Sequence, residues 1–230
     1  MGIAENIARI YEKIEKSCKN AGRNPAEVRL MAVSKFFPRE AVNEAYAAGI
    51  ELFGESRVAE AEAKFSKDCG QKTGELHLVG ALQRNKAKRA AGLFDCIESV
   101  DRNELIDTLG QLTAEREKPL IVLLELNAGE AQKSGYRSED ELPSALERIL
   151  RYKGLEAGGL MTIAPFTNDD AVIRAAFRRL ARARERLSAM FPECRLSTLS
   201  MGMSGDFPIA LEEGATLIRI GTAIFGDRTT

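Results

Sequence analysis

The sequence predicts a single (β/α)8 TIM barrel over residues 1–230 with an additional N-terminal helix, and three observations carry that expectation. Eight strand-length apolar runs alternate with helical patterns from end to end, an order that forces parallel strands joined by right-handed crossovers. At 230 residues and 44% hydrophobic, the chain can bury one substantial core, and eight units of this length fit a closed barrel better than an open doubly wound sheet. No linker, low-complexity tract or charge block marks a second domain.

The elements follow in order. Ile3, Ile7, Ile10, Ile14 and Cys18 share one stripe of a first helix that Gly22 ends. The strand candidates are LMAVS from Leu30, ELF from Glu51, LHLVG from Leu76, CIESV from Cys96, IVLLELN from Ile121, AGGLMTI from Ala157, TLSMG from Thr198 and TLIRIG from Thr216. Asp101 with Glu104, and Ser138 with Glu141, have the spacing of capping boxes that open two intervening helices. Gly49 and Gly214 close two others.

Composition excludes several classes. A formal net charge of −1 gives no general attraction to nucleic acid or an anionic membrane. The longest apolar stretches are strand-sized, so no bilayer span is expected. The opening MGIAENIARIYEKIEK carries acids in its first turns and has no signal-peptide core. Asn6 stands where a myristoylation signal needs Ser or Thr. Cys18, Cys69, Cys96 and Cys194 are far apart and show no zinc or CxxC spacing, which reads as reduced thiols in a cytoplasmic protein.

Barrel chemistry gathers at the C-terminal ends of the strands. Lys35 follows strand one, beside Phe36 and Phe37. Desolvation there favours the neutral amine, a nucleophile toward aldehydes, so the position suits a Schiff-base lysine. A lysine snorkelling to solvent is the plain alternative. Gly54-Glu55-Ser56-Arg57, Gly80-Ala81-Leu82-Gln83, Asn127 and Ala164-Pro165 end strands two, three, five and six. Gly202-Met203-Ser204-Gly205, feeding the helical FPIALEE, and Gly221-Thr222 end strands seven and eight. These two loops form the usual phosphate site of such barrels, although structural turns use the same residue types. Arg219 lies within the last strand and must find acceptors. They are either a barrel glutamate such as Glu55 or Glu125, or a ligand's ring nitrogen or phosphate.

The stretches LMAVSKFFP, LFGESRVAEAEAK, LHLVGALQRNKAK, KSGY, GLMTIAPF and LSMGMSGDFPIALEEGATLIRIGTAIFG closely resemble the pyridoxal 5′-phosphate (PLP) homeostasis proteins, the YggS/PROSC family. The resemblance runs nearly end to end. It implies a barrel like the N-terminal domain of alanine racemase, with PLP bound as an aldimine of Lys35. Gly202, Met203, Ser204, Gly221 and Thr222 would hold the phosphate, largely through backbone amides, with Ser200 beside them. Arg219 would face the pyridine nitrogen. Two departures stand out: Ser56 occupies a position near the cofactor that is usually Asn, and Leu76 one that is usually Trp.

An arginine against the pyridine nitrogen keeps that nitrogen unprotonated and weakens the ring as an electron sink. The chain ends soon after the last barrel motif, where racemases continue into a domain that supplies an opposing acid/base. The expectation is therefore a monomeric binder that releases PLP to apo-enzymes. A PLP-dependent racemase-like enzyme of low activity is the alternative, and a class I aldolase using the same lysine is third. His77, the only histidine, reads as a core residue. The stripe Arg174, Arg178, Arg182 and Arg186 reads as a solvated face near Asp169, Asp170 and Glu185, as do Arg84, Lys86, Lys88 and Arg89. Met201 and Met203 bracket Gly202, and core filling explains at least one of them.

Overall fold

The computed structural model describes residues 2–66, 74–130 and 132–226; the reading of Cys69 as a reduced thiol falls outside them. Eight parallel strands form a closed barrel: β1 (Arg29–Val33), β2 (Leu52–Glu55), β3 (Glu75–Leu78), β4 (Cys96–Val100), β5 (Leu120–Glu125), β6 (Leu155–Met161), β7 (Thr198–Ser200) and β8 (Leu217–Ile220). Between them run α2 (Arg39–Ala47), α3 (Val58–Phe65), α4 (Ala87–Leu93), α5 (Asn103–Leu112), α6 (Leu142–Leu150), α7 (Asp170–Met190) and α8 (Phe207–Glu212). A one-turn α9 (Thr222–Phe225) follows β8. The barrel and its outer helices bear out the fold expected from the alternation.

Because each strand is covered on both faces, its residues divide between two apolar regions. Met31, Val33, Leu52 and Leu217 cluster inside the barrel, as do Cys96, Leu123 and Met161. Leu30, Ala32, Phe53, Leu76 and Ile218 instead join the larger core under the helices. Gly54 is an inner position with no room for a side chain: a Cβ there would sit 2.5 Å from Met31 Sδ.

The N-terminal helix α1 (Ile3–Asn20) buries Ile7, Ile10, Ile14 and Cys18, as the stripe predicts. It packs on α2, α8 and α9, covering the wall that α9 is too short to cover. Arg23 fastens its C-terminal end by donating to the carbonyls of Leu211 (2.7 Å) and Ala215 (2.9 Å). Gly22, Gly49 and Gly214 follow α1, α2 and α8 with φ of 66°, 93° and 96°, the left-handed stops their sequence positions suggest.

Some local expectations need correction. The Ser138–Glu141 box forms, with Glu141 Oε1 accepting from the Ser138 amide at 2.7 Å. The Asp101–Glu104 box does not, because α5 begins at Asn103 with Arg102 at its N-cap and the Asp101 carboxylate pairs with Arg102. Strand β2 runs on through Gly54 and Glu55, which the sequence reading puts in a loop, and β7 stops at Ser200. In the arginine stripe, Arg174 and Arg178 bridge to Glu212 and Glu213 of α8, and Arg186 bridges to Asp140. Among the described residues, no helix is long and apolar enough to cross a membrane.

Candidate functional site

Lys35 lies two residues beyond β1, half-buried, and its backbone is held on both sides. Lys64 of α3 is buried and donates to the Ser34 carbonyl (2.7 Å), to Glu55 Oε1 (2.7 Å) and to Glu60 Oε1 (2.8 Å). Glu60 Oε1 also accepts from the Phe36 amide at 2.5 Å. Phe36 has φ of 71°, a left-handed conformation that costs a non-glycine residue about 1–3 kcal/mol and persists only where its surroundings enforce it. Here the Glu60 bond enforces it, with the Arg57 guanidinium 5.6 Å from the Phe36 ring centre. Phe37 stacks on Phe225 of α9 with ring centres 4.9 Å apart, tying the loop after β1 to the turn after β8.

The Glu55 carboxyl is pushed up by burial, against the pull of Lys64 and Ser34. Its second oxygen has no partner among the described residues. Burial also opposes the charge on Glu60, but Lys64, the Phe36 amide and Arg57 outweigh it and hold that carboxyl below its usual range. Sequence reading missed Lys64 and Glu60 as site residues. Their i, i+4 spacing in LFGESRVAEAEAK is the signal that could have found them.

Across the β1–β8 pairing lie the two loops expected to cradle an anion. Gly202 has φ of 95°, and a Cβ on it would come within 2.6 Å of Ala210 Cβ, so glycine lets the loop sit directly on α8. The amides of Ser204, Gly205, Gly221 and Thr222 make no hydrogen bond among the described residues. Ser204 Oγ accepts from the Ala223 amide at 3.4 Å, linking this loop to α9. The Met203 amide, expected among the donors, is engaged by Asp206 Oδ1 at 2.5 Å. Met201 is a core residue, whereas Met203 is 39% exposed on the rim.

Arg219 is buried inside the barrel and donates to Ser200 Oγ (2.6 Å) and the Thr162 carbonyl (2.8 Å). Burial works against its charge, and Glu98, Asp206 and Glu125 oppose that effect. The nearest carboxylate is Glu98, 4.0 Å away, rather than Glu55 or Glu125. Glu55 points to α3, and Glu125 is bonded by Ser134 Oγ at 3.0 Å. Ser200 lies below the rim, fully buried, its hydroxyl donating to Glu98 Oε2 at 2.5 Å while accepting from Arg219. The hydrogen bonds of that hydroxyl therefore run within the barrel interior rather than to the loops after β7 and β8.

Ser56 lines a cavity of about 330 Å³ with Arg57, Leu82, Gln83 and Lys86. Asn127 organises its own loop, its amide donating to the carbonyls of Glu130, Lys133 and Ser134. Among the described residues, no cluster of three or more His, Cys, Asp or Glu side chains has the arrangement to hold a metal.

One rim therefore offers a primary amine, a set of open amides and a buried guanidinium. Of the guanidinium's five N–H bonds, two are engaged by Ser200 and Thr162. A flat aldehyde bearing a phosphate and a ring nitrogen matches that donor set, and PLP is such a molecule.

Known proteins give the same indication. Residues 5–229 match the family model of the alanine racemase N-terminal domain. Pyridoxal phosphate homeostasis proteins of Vibrio alginolyticus and Pseudomonas aeruginosa are 41% and 43% identical, each matched over 98% of this chain and 97% and 96% of their own. The structure of PipY from Synechococcus elongatus with PLP bound superposes with a TM-score of 0.84 at 36% identity, over 97% of this chain and all of that one. Alanine racemase from E. faecalis shares the fold at 18% identity and a TM-score of 0.69, matched over 99% of this chain and 59% of its own. With these matches spanning the barrel from first helix to last turn, the chain belongs to the alanine racemase N-terminal domain family, among its pyridoxal phosphate homeostasis proteins.

Proposed function

We propose that this protein binds pyridoxal 5′-phosphate as an aldimine of Lys35 and releases it to apo-enzymes, without efficient amino-acid chemistry of its own. The observation that carries the reading is the closure of β8 onto β1, with Met31 beside Arg219 and Ala32 beside Ile220. That register makes neighbours of the Lys35 loop and the Gly221-Thr222 turn. Sequence relatives named for PLP homeostasis, and PipY with PLP bound, support the choice of ligand.

In capture, Lys35 Nζ adds to the aldehyde carbon and the carbonyl oxygen leaves as water. Release reverses this by adding water, or by exchange with the amine of a receiving enzyme. The amides of Ser204, Gly205, Gly221 and Thr222 take the phosphate, as backbone donors at a loop and short-helix N-terminus commonly do. Arg219 keeps its proton and donates to the ring nitrogen, so the ring remains a poor sink for carbanion electrons.

Protein loaded with PLP should be yellow, and borohydride should fix the ligand to a peptide containing Lys35. It should also reactivate an apo-enzyme that needs PLP. Attachment to another lysine, with Lys35→Ala still forming the same adduct, overturns the assignment. Exchange of the alanine α-proton in deuterated water at roughly 1 per second or faster would favour the racemase-like enzyme.

A further inference from the structure

His77 joins a polar chain through the barrel interior. Its Nε2 is 2.7 Å from Glu75 Oε1 and its Nδ1 is 2.6 Å from Glu98 Oε1. A neutral imidazole has one N–H and can serve only one carboxylate, so two such contacts call for the doubly protonated ring. Glu75 continues downward to Arg29 at 2.5 Å and lines a cavity of about 560 Å³ with Asp95, Arg116 and Lys118. Glu98 continues upward through Ser200 Oγ to Arg219. From Arg29 to Arg219 the groups alternate as cation, anion, cation, anion, cation.

We propose that Glu98 and His77 are positioning residues for Arg219, forming with Glu75 a fixed chain of charge that holds the guanidinium in place to donate to the ring nitrogen of bound PLP. This rests on the reading of the site given above. Three carboxyl groups compete for Arg219: Glu98, Asp206 and Glu125. Burial pushes Glu125 and Asp206 up, toward their neutral forms. Burial also opposes ionisation of Glu98, but the hydrogen bond and charge of His77, with Arg219 and Ser200, outweigh it and hold that carboxyl down. His77 thus favours the ionised form of Glu98 beside Arg219, while burial disfavours that of Glu125 and Asp206.

The groups facing His77 are Glu75 on its own strand and Cys96 and Glu98 on β4, with Arg29 and Arg219 one group further away. Burial alone disfavours the second proton of the ring. The two carboxylates in contact with the ring outweigh burial and raise the imidazolium pKa well above the ordinary histidine range, while the Cys96 thiol, itself pushed up by burial, stays neutral beside it. The same ring holds Glu75 down at about 2, helped by Arg29 and opposed by burial.

The test compares PLP with 1-deaza-PLP, in which a C–H replaces the ring nitrogen, in the wild type and in Glu98→Gln, His77→Gln and Ser200→Ala. The wild type should prefer PLP by about 10- to 100-fold, the worth of one hydrogen bond from a charged donor. The three variants should bring the preference below roughly threefold while binding the deaza analogue as the wild type does. A merely structural role would weaken both ligands together, and that outcome, or full retention of the preference, overturns the inference. A wild type that binds PLP without preferring it to the analogue overturns the orientation of PLP in the proposed function. One that binds neither compound overturns the site itself. A second measurement needs no ligand. Because His77 is the only histidine, the nitrogen-15 spectrum of the apo-protein should show one imidazole that stays doubly protonated well above the ordinary histidine range. Glu98→Gln should turn it into a neutral tautomer near neutral pH. Titration of wild-type His77 near the ordinary histidine value would reject the charge chain even where a variant fails to fold.

Discussion

Replacing Lys64 by Met should destabilise the protein by about 3–5 kcal/mol at mildly alkaline pH, because one partner of a buried ion pair is removed and the other remains. All three ammonium protons of Lys64 have acceptors: Ser34 O, Glu55 Oε1 and Glu60 Oε1, each within 2.8 Å. Methionine fills a similar volume, so the loss is electrostatic rather than a cavity. Glu55 is fully buried, and without Lys64 only Ser34 Oγ at 2.7 Å would still donate to it.

The penalty must depend on pH. The folded-state pKa of Glu55 is already raised by burial, so the folded state binds its proton more tightly than the unfolded chain does. Such a group costs nothing below the unfolded carboxyl value of about 4.3 and reduces stability as pH rises from there through the folded value. Lys64 is the main influence holding that folded value down. Lys64→Met raises it further and widens the window in which stability falls. Urea unfolding at about pH 5 and about pH 8 should show a small deficit at the lower pH and most of the 3–5 kcal/mol at the higher. Adding Glu55→Gln to Lys64→Met should recover much of the loss. A deficit under about 1 kcal/mol, or one equal at the two pH values, would refute the reasoning.

Two other substitutions test the anion cradle. Gly202→Ala, at φ of 95° and 2.6 Å from Ala210 Cβ, should push the loop off α8. It should cost about 1–3 kcal/mol of stability and weaken PLP binding, read by melting and by calorimetry. Pyridoxal should bind at least about 30-fold more weakly than PLP if charge-assisted amide bonds hold the phosphate. Gly221→Val should narrow that gap, since even a Cβ there lies 3.2 Å from the Val33 carbonyl; equal affinities in the wild type would dismiss the cradle.

The fold was legible because each strand is short, apolar and bounded by turn residues, and each helix carries its own stripe. The rim residues were legible for a related reason: Gly202, Gly221 and Lys35 end apolar runs, where composition changes abruptly. Glu98 as the partner of Arg219 was not. Strand alternation directs it inward, but β4 and β8 lie on opposite sides of the closed sheet. Which inward residues share a level depends on the stagger of closure, which no local pattern encodes. Asp101 misled for a simpler reason, since its neighbour Arg102 supplies a cation that competes with the helix amides for the carboxylate. Of the interior chain the sequence reading had only His77, as a core residue, because it began the third strand at Leu76 and left Glu75 out of it.

The two residues assigned to the ends of the ligand are backed from opposite faces of the same sheet. Lys64, Glu55 and Glu60 hold the Lys35 loop from outside the barrel, between sheet and α3. Glu98, His77 and Glu75 reach Arg219 from inside it. Buried ionic clusters of this kind add little net stability over a packed apolar core, so stability is a weak reason for a barrel to contain two. A better reason is geometric. An amine and a guanidinium on adjacent strands are flexible side chains, and a ligand gripped at both ends needs each held to a fraction of an ångström. The apolar interior cannot orient a charged group, whereas a chain of fixed hydrogen bonds can. On this argument the polar core exists for the ligand, and weakening either cluster should loosen one end of it while leaving the barrel closed.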